Sequence, residues 1–282
     1  AAKEGDTVRV SLIDADDVAA ADVADGFRYY FDLNNDGQFE LGPQDEPFAD
    51  FVATDSGLRS ITARIEDDND FRQYQTSFVV SEVAPQLNVD VVDDSGNVLD
   101  PALQPLEGQT YRLRLSATDP GNDRITTWIV SWGDGTSQTI EADATIVSNA
   151  YRDDGEYRVV VAAYDEDGEY LLEKFVSVQN VAPTISFTRP AEVNEGEVFE
   201  ILLESTDPGD DSIEHWEIDW GDGSEIETVD GGLRRASHVY LDAAEVGTEY
   251  GVRVTGYDEG TVAVSETQII RVRNEAPTAT LS

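Results

Sequence analysis

The sequence has no cysteine and no methionine, only two histidines, His215 and His238, and only two lysines, Lys3 and Lys174. Without cysteine the chain can form neither disulfides nor thiolate sites, and at 282 residues it needs no such staples to hold a core. No apolar run approaches the ~20 residues of a membrane-spanning helix, and no stretch keeps a helical period. Positive charge is equally scarce: 18 Lys and Arg stand against 59 Asp and Glu, a formal net charge of −41. That balance excludes a nucleic-acid partner, because gripping phosphates takes basic residues that displace counterions. It disfavours insertion into or binding to an anionic membrane surface for the same reason.

What is present is a core. Hydrophobic residues make up 40% of the chain, with 11 Tyr, 10 Phe and 4 Trp, so this is no disordered acidic tail. Self-repulsion at such a charge opposes compaction unless cations or salt offset it. Bound divalent ions, a salty medium, or both are therefore expected.

Internal repetition sets the organisation. "SEVAPQLNV" from Ser81, "QNVAPTISF" from Gln179 and "RNEAPTATLS" from Arg273 match, and their prolines Pro85, Pro183 and Pro277 lie 98 and 94 residues apart. That period fits one β-sandwich. The expectation is an all-β chain of tandem immunoglobulin-like sandwiches set end to end: repeat 1 over 1–83, repeat 2 over 84–181, repeat 3 over 182–275, and 276–282 as a linker or the start of a fourth, so that the chain reads as an excerpt of a longer array. Alternation in "YRLRLSA" and "YRVVVAAYD" supports half-buried strands. Trp128, Val130 and Trp132 of repeat 2, Trp216, Ile218 and Trp220 of repeat 3, and Tyr29, Phe31 and Leu33 of the divergent repeat 1 are each spaced by two and so share one strand face, read as core.

"WGDGT" and "WGDGS", followed by "AYRDDGEY" and "HVY" and then by "VAAYDEDG" and "VTGYDEG", resemble the signature of PKD repeats, which are immunoglobulin-like modules. The linkers, the "EG" and the "TDPG" also resemble cadherin-like repeats of large bacterial surface proteins and adhesins. The likeness spans the chain and is looser in repeat 1, which lacks the WGDG string and the Tyr motif before the sixth strand.

Topology then says where the acidic loops meet. In a seven-stranded sandwich the A–B and E–F turns lie at the exit end, and the B–C and F–G loops at the entry end. At the second joint this gathers Glu107 of "LEG", Asp153 and Asp154 of "YRDDGEY", the linker Asn180, then Asp207, Asp210 and Asp211 of "TDPGDD" and Asp258 of "YDEG". At the first it gathers Glu4, Asp55, the linker Glu82, Asp119, Asp123, and Asp165 or Asp167. Calcium takes six to eight oxygens at about 2.3–2.6 Å, and crowded carboxylates without a metal raise one another's pKa. The cadherin-like resemblance implies calcium held by the A–B Glu, the E–F Asp, the linker residue and Asp residues of the next domain, with Glu82 standing where an Asn is expected. The PKD resemblance implies a variant in which the entry-end loops and the domain's own N-terminal segment hold the ion, with Asp207 and Asp258 ligands either way. The competing reading is that Asp and Gly merely make Asx turns, or that the acidity suits high salt.

A local candidate lies in "DLNNDGQFE". Asp32, Asn34 and Asp36 fall at positions 1, 3 and 5 of an EF-hand-like calcium loop, Gly37 at 6 and the Gln38 carbonyl at 7. Position 12 is Pro43 rather than Glu, so Asp45 or Glu46 is expected to substitute, on a C–C′ hairpin without flanking helices. Catalysis finds no support: no nucleophile motif accompanies the histidines, and His238 fills a slot that PKD repeats give to a packing His. The expectation is a non-catalytic, extracellular or surface-anchored calcium-binding segment, a monomer whose partners are calcium, its neighbouring repeats and a cell-surface or matrix ligand. The alternatives are a polysaccharide- or protein-binding accessory module of a secreted enzyme, and a halophilic surface-layer protein whose acidity serves solubility.

Overall fold

The computed structural model describes residues 2–16, 26–68, 70–100, 102–243, 247–276 and 278–280, and among them all regular structure is β. In the first domain the strands are β1 (Ala2–Lys3), β2 (Thr7–Ser11), β3 (Arg28–Asp32), β4 (Leu41–Gln44), β5 (Phe48–Val52), β6 (Gly57–Glu66) and β7 (Phe71–Ser81). The second has β8 (Gln86–Val91), β9 (Thr110–Thr118), β10 (Thr127–Ser131), β11 (Ser137–Glu141), β12 (Ile146–Ala150), β13 (Gly155–Tyr164) and β14 (Glu169–Val178). The third has β15 (Thr184–Thr188), β16 (Glu192–Asn194), β17 (Val198–Thr206), β18 (His215–Asp219), β19 (Glu227–Asp230), β20 (Arg235–Val239), β21 (Thr248–Tyr257), β22 (Val262–Val264) and β23 (Gln268–Arg273).

Each domain is two facing sheets. One sheet runs β12-β9-β8 in the second domain, β15-β17-β20 in the third and, among the described residues, β2-β5 in the first. The other runs β11-β10-β13-β14, β16-β23-β21-β18-β19 with β22 on β21, and β1-β7-β6-β3-β4. Pairing is antiparallel except at one edge, where the short strand before each A–B turn lies parallel to the last strand: β1 on β7 and β16 on β23. The alternation in the sequence does not reveal this parallel edge, because a two- or three-residue strand has no period to read.

Alternation fixes which side chains enter. In β9 Tyr111, Leu113 and Leu115 are buried between Arg112 and Arg114. Opposite them Trp128, Val130 and Trp132 close the second core, as Trp216, Ile218 and Trp220 close the third. Burying one such indole removes roughly 150–250 Å² from water, on the order of 5 kcal/mol before entropy is counted. Tyr151 and Tyr240 lie beneath these rings and donate their hydroxyls to the Trp132 and Trp220 carbonyls at 3.1 and 2.9 Å. In the first domain the corresponding slot holds Ala53, whose carbonyl accepts the Gly5 N–H at 2.8 Å as Tyr151 accepts that of Gly108. Among the described residues the core cluster there holds Tyr29, Phe31, Ala49 and Ala63, with Leu33 packed at its margin and Ile61 and Val80 also buried.

The repeated WGDG turns are explained by this packing. Gly133 sits at φ +87°, and a Cβ there would stand 2.8 Å from the Arg158 carbonyl oxygen, so only glycine fits. Asp134 accepts the Thr136 N–H at 2.8 Å and the Asn149 side-chain amide at 2.7 Å, tying the β10–β11 hairpin to β12 of the other sheet. In the third domain His238 takes the place of Asn149: it bonds Asp222 at 2.8 Å and stacks on Trp220 at 5.0 Å. These aspartates are turn staples.

Candidate metal centres at the domain junctions

Acidic loops from neighbouring domains meet in space at both joints. At the first, the Asn122 N–H donates to the Thr54 carbonyl at 2.8 Å, and at the second the Asp210 N–H donates to that of Arg152 at 2.6 Å, so the B–C loop of one domain touches the E–F turn of the domain before it. The A–B turn lies against the same loop. Gly108, at φ +69°, leaves no room for a Cβ, which would fall 2.4 Å from the Pro208 carbonyl.

Each A–B glutamate holds the linker that follows its domain. Glu4 accepts the Val83 N–H at 3.0 Å, Glu107 that of Val181 at 2.7 Å, and Glu195 that of Glu275 at 2.9 Å. The second oxygen separates the three. In Glu195 it accepts the Ala243 N–H at 2.7 Å. In Glu4 and Glu107, which are 3% and 0% exposed, it is buried with no hydrogen-bond partner. A buried unsatisfied carboxylate oxygen is costly unless something charged answers it.

Around Glu4 stand Glu82, Asp123 and Asp167, one oxygen of each within 4.8 Å of the others. Asp123 also joins Asp55 and Glu166 in a second group of the same span. Around Glu107 stand Asp153, Asp154 and Asp211. Further buried, unpartnered atoms crowd the same two places: one oxygen each of Glu82, Asp119, Asp123, Asp165, Asp207 and Asp211, and both amide atoms of Asn180. Burial pushes the Glu82 carboxyl up to about 7, with Glu4 and Asp167 adding to it, although Tyr170 donates its hydroxyl to Glu82 at 3.0 Å. Burial, then Glu4 and Asp119, lift Asp123 to about 6. Burial, then Glu107 and Asp153, lift Asp211 to about 7.

Several expected ligands stand slightly apart. Asp165 spends one oxygen on the Asp167 and Gly168 N–H groups, which leaves Asp167 as the F–G residue in the first group. Asp119 and Asp207 likewise cap their own loops through the Gly121 and Gly209 N–H groups while the other oxygen stays free. Asp210 turns toward Arg152, 3.8 Å away, and its neighbour Asp211 enters the group. Asp258 is buried, but both its oxygens accept from Thr261 and one from Gly260. Burial pushes its pKa up, and those bonds outweigh burial and hold it below the usual range. Asp55 also pairs with Arg59. At the joints, Glu166 is the residue that sequence reasoning missed; its one signal was its place between two candidate aspartates in "YDEDG".

The loop between β3 and β4 brings Asp32, Asp36 and Glu40 together. Asp32, 2% exposed, accepts the Asp36 and Gly37 N–H groups at 3.1 and 2.9 Å, and Asn34 and Asp36 bond each other at 3.2 Å. The Gln38 N–H donates to Asp36 at 2.8 Å. Glu40, at position 9, is the further carboxylate, in place of the Asp45 or Glu46 expected at position 12; Asp45 pairs instead with Arg28. The Asp32 and Asp36 oxygens belong to the Asx network that shapes the turn, and one Glu40 oxygen accepts the Leu33 N–H at 2.6 Å.

No curated protein matches the chain. Among solved structures, fibronectin(III)-like modules of Clostridium thermocellum CbhA align over 69% of this chain and 100% of their own, at 16% identity and a TM-score of 0.28. Two three-domain titin fragments align over 89% and 97% of this chain and 88% and 94% of theirs, at 12% and 10% identity and TM-scores of 0.41 and 0.39. Residues 99–177, the body of the second domain, match the family model of the PKD domain. The chain is thus a tandem array of β-sandwiches, and the central one matches the model of the PKD domain, a family of generally non-catalytic modules typical of extracellular and surface proteins.

Proposed function

We propose that this chain is a calcium-stiffened spacer of an extracellular or surface protein, an extender that holds an adhesive domain away from its anchor. The observation that supports this is the convergence, at both joints, of buried carboxylate oxygens that lack any partner and come from both neighbouring domains. Glu4, Glu82, Asp123 and Asp167 would hold one cation, and Glu107, Asp153, Asp154 and Asp211 another, with Asn180, Asp119 and Asp207 able to complete the six to eight oxygens calcium takes. Bound there, calcium supplies positive charge that neutralises the cluster. The chain's own residues do the rest: Glu4 and Glu107 bind the linker and the ion site at once, so a ligand ordered on one domain is tied to the other. Inter-domain interfaces within a chain otherwise permit domain motion.

All four tryptophans are buried, so the polymer-gripping alternative has no exposed indole to work with. Titrating chelator-stripped protein with calcium in a calorimeter, alongside small-angle scattering, tests the proposal. Saturable binding with an increase in maximum dimension and in Tm is expected. Equal dimensions and equal Tm with and without calcium would refute it, and a response to monovalent salt alone would favour the high-salt reading.

A further inference from the structure

The aromatic corner that closes the second and third domains beside the E–F turn is built differently in the first. The registers of β2 on β5 and β3 on β6, set against those of β9 on β12 and β10 on β13, put Val8, Leu33, Ala53 and Arg59 at the positions of Tyr111, Trp132, Tyr151 and Tyr157. In the second domain the Tyr151 ring stacks on Tyr157 at 4.3 Å and stands edge-on to Trp132 at 6.4 Å. In the third, Tyr240 stacks on Tyr250 at 4.8 Å. The first domain replaces those rings with two aliphatic side chains, a methyl group and a guanidinium. A cavity of about 450 Å³ opens at this corner, lined by Leu33, Ala53 and Arg59 together with Phe51, Asn34 and Glu40. Phe51 does not fill it, because its ring meets Phe78 at 6.1 Å.

The groups around the cavity say what it suits. Arg59 does the work of Tyr157: the Tyr157 hydroxyl donates to the Asp153 and Asp154 carbonyls at 2.9 and 3.3 Å, and the Arg59 guanidinium donates to those of Asp55 and Ser56 at 3.3 and 3.4 Å. It therefore stands where the ring beneath Tyr151 stands. A guanidinium is attracted to the face of an aromatic ring and stacks on it. The carbonyl that receives the Tyr151 hydroxyl belongs to Trp132, and Leu33 holds that position in the first domain. Glu40 in the lining and Asp55 paired with Arg59 repel an anion. We propose that this cavity binds a neutral phenol ring, stacked on Arg59 with its hydroxyl directed to the Leu33 carbonyl.

The cavity has the size of small-ligand sites, roughly 300–1,000 Å³, and their make-up of an apolar floor with a few polar groups that fix orientation. A saturated ring of the same shape fills the floor but offers the guanidinium no π face. The phenol has two possible sources, a free small molecule and the tyrosyl side chain of a partner peptide, and the ring chemistry is common to both. The proposal does not rest on the calcium reading, because ring stacking on Arg59 needs no metal.

Titrating the full chain, labelled at its Ala and Leu methyls, with p-cresol and following the methyl NMR signals tests it. The Leu33 and Ala53 signals should shift saturably while those of Leu113 and Leu115 in the second core stay put. The saturated analogue 4-methylcyclohexanol should bind more weakly by on the order of tenfold. Ala53→Tyr supplies the ring from the chain itself and should raise Tm and abolish the Leu33 shift. Arg59→Lys, which keeps the charge on an exposed side chain and loses the plane, should weaken p-cresol several-fold without unfolding the domain. The tripeptide Gly-Tyr-Gly binding at least as tightly as p-cresol assigns the ring to a partner peptide, and tighter binding of p-cresol assigns it to a free phenol; both uphold the site. No shift at Leu33 and Ala53 up to the solubility limit of p-cresol, equal binding of 4-methylcyclohexanol, or an affinity unchanged in Arg59→Lys overturns the proposal.

Discussion

Replacing Glu107 with Gln should shift stability in opposite directions according to whether calcium is present. The amide keeps an oxygen to accept the Val181 N–H, so the linker stays clasped, and the volume is unchanged. What goes is one negative charge among Asp153, Asp154 and Asp211. Two unit charges about 4.8 Å apart at an effective dielectric near 20 repel by about 3.5 kcal/mol. The proton that Asp211 tends to hold near neutrality removes much of that, leaving a gain of about 1–2 kcal/mol in the metal-free protein. In calcium the same change deletes a ligand. A hundredfold loss of affinity removes about 2.7 kcal/mol of ligand-linked stability, and for a domain of this size each kcal/mol moves Tm by roughly 4–8 °C. Calorimetric melts of wild type and Glu107→Gln, each with calcium and after chelation, give the four values required. The mutant should melt above wild type without metal and well below it with metal. If Glu107→Gln lowers Tm equally in both conditions, Glu107 is only a linker clasp and the metal site at the second joint is wrong.

Metal-free protein should lose stability as pH rises. Glu82, Asp123 and Asp211 have folded pKa values raised to about 7, 6 and 7, so their contribution is full below the unfolded carboxylate range and is lost as pH climbs through those values. Melts of the stripped protein between pH 5 and pH 8 should fall steadily, and calcium should flatten the slope. Tyr170→Phe removes the hydroxyl that donates to Glu82 and should weaken calcium binding at the first joint several-fold, leaving the second joint unchanged in a two-site titration. Tyr151→Phe orphans the buried Trp132 carbonyl and should cost about 1–2 kcal/mol in urea melts followed by tryptophan fluorescence.

The recurrence of three linkers told much of the fold in advance, because strands of this kind declare themselves by alternation and the WGDG turn by the φ values only glycine tolerates. The parallel edge strands β1 and β16 were not legible, because two or three residues carry no period. The joints were legible at the level of loops, since an odd number of strands sends the A–B and E–F turns to the next domain's entry end.

Sequence alone therefore determined that acidic loops from neighbouring domains converge, and that Glu4 and Glu107 stand among them. Which carboxylate enters each group was settled only in three dimensions. Asp211 rather than Asp210, and Asp167 together with Glu166 rather than Asp165, complete the clusters because Asp210 meets Arg152 and Asp165 caps its own loop. In a run such as "DPGDD" or "YDEDG" adjacent carboxylates have the same chemistry, and only the direction each side chain leaves the turn decides which one faces its neighbours.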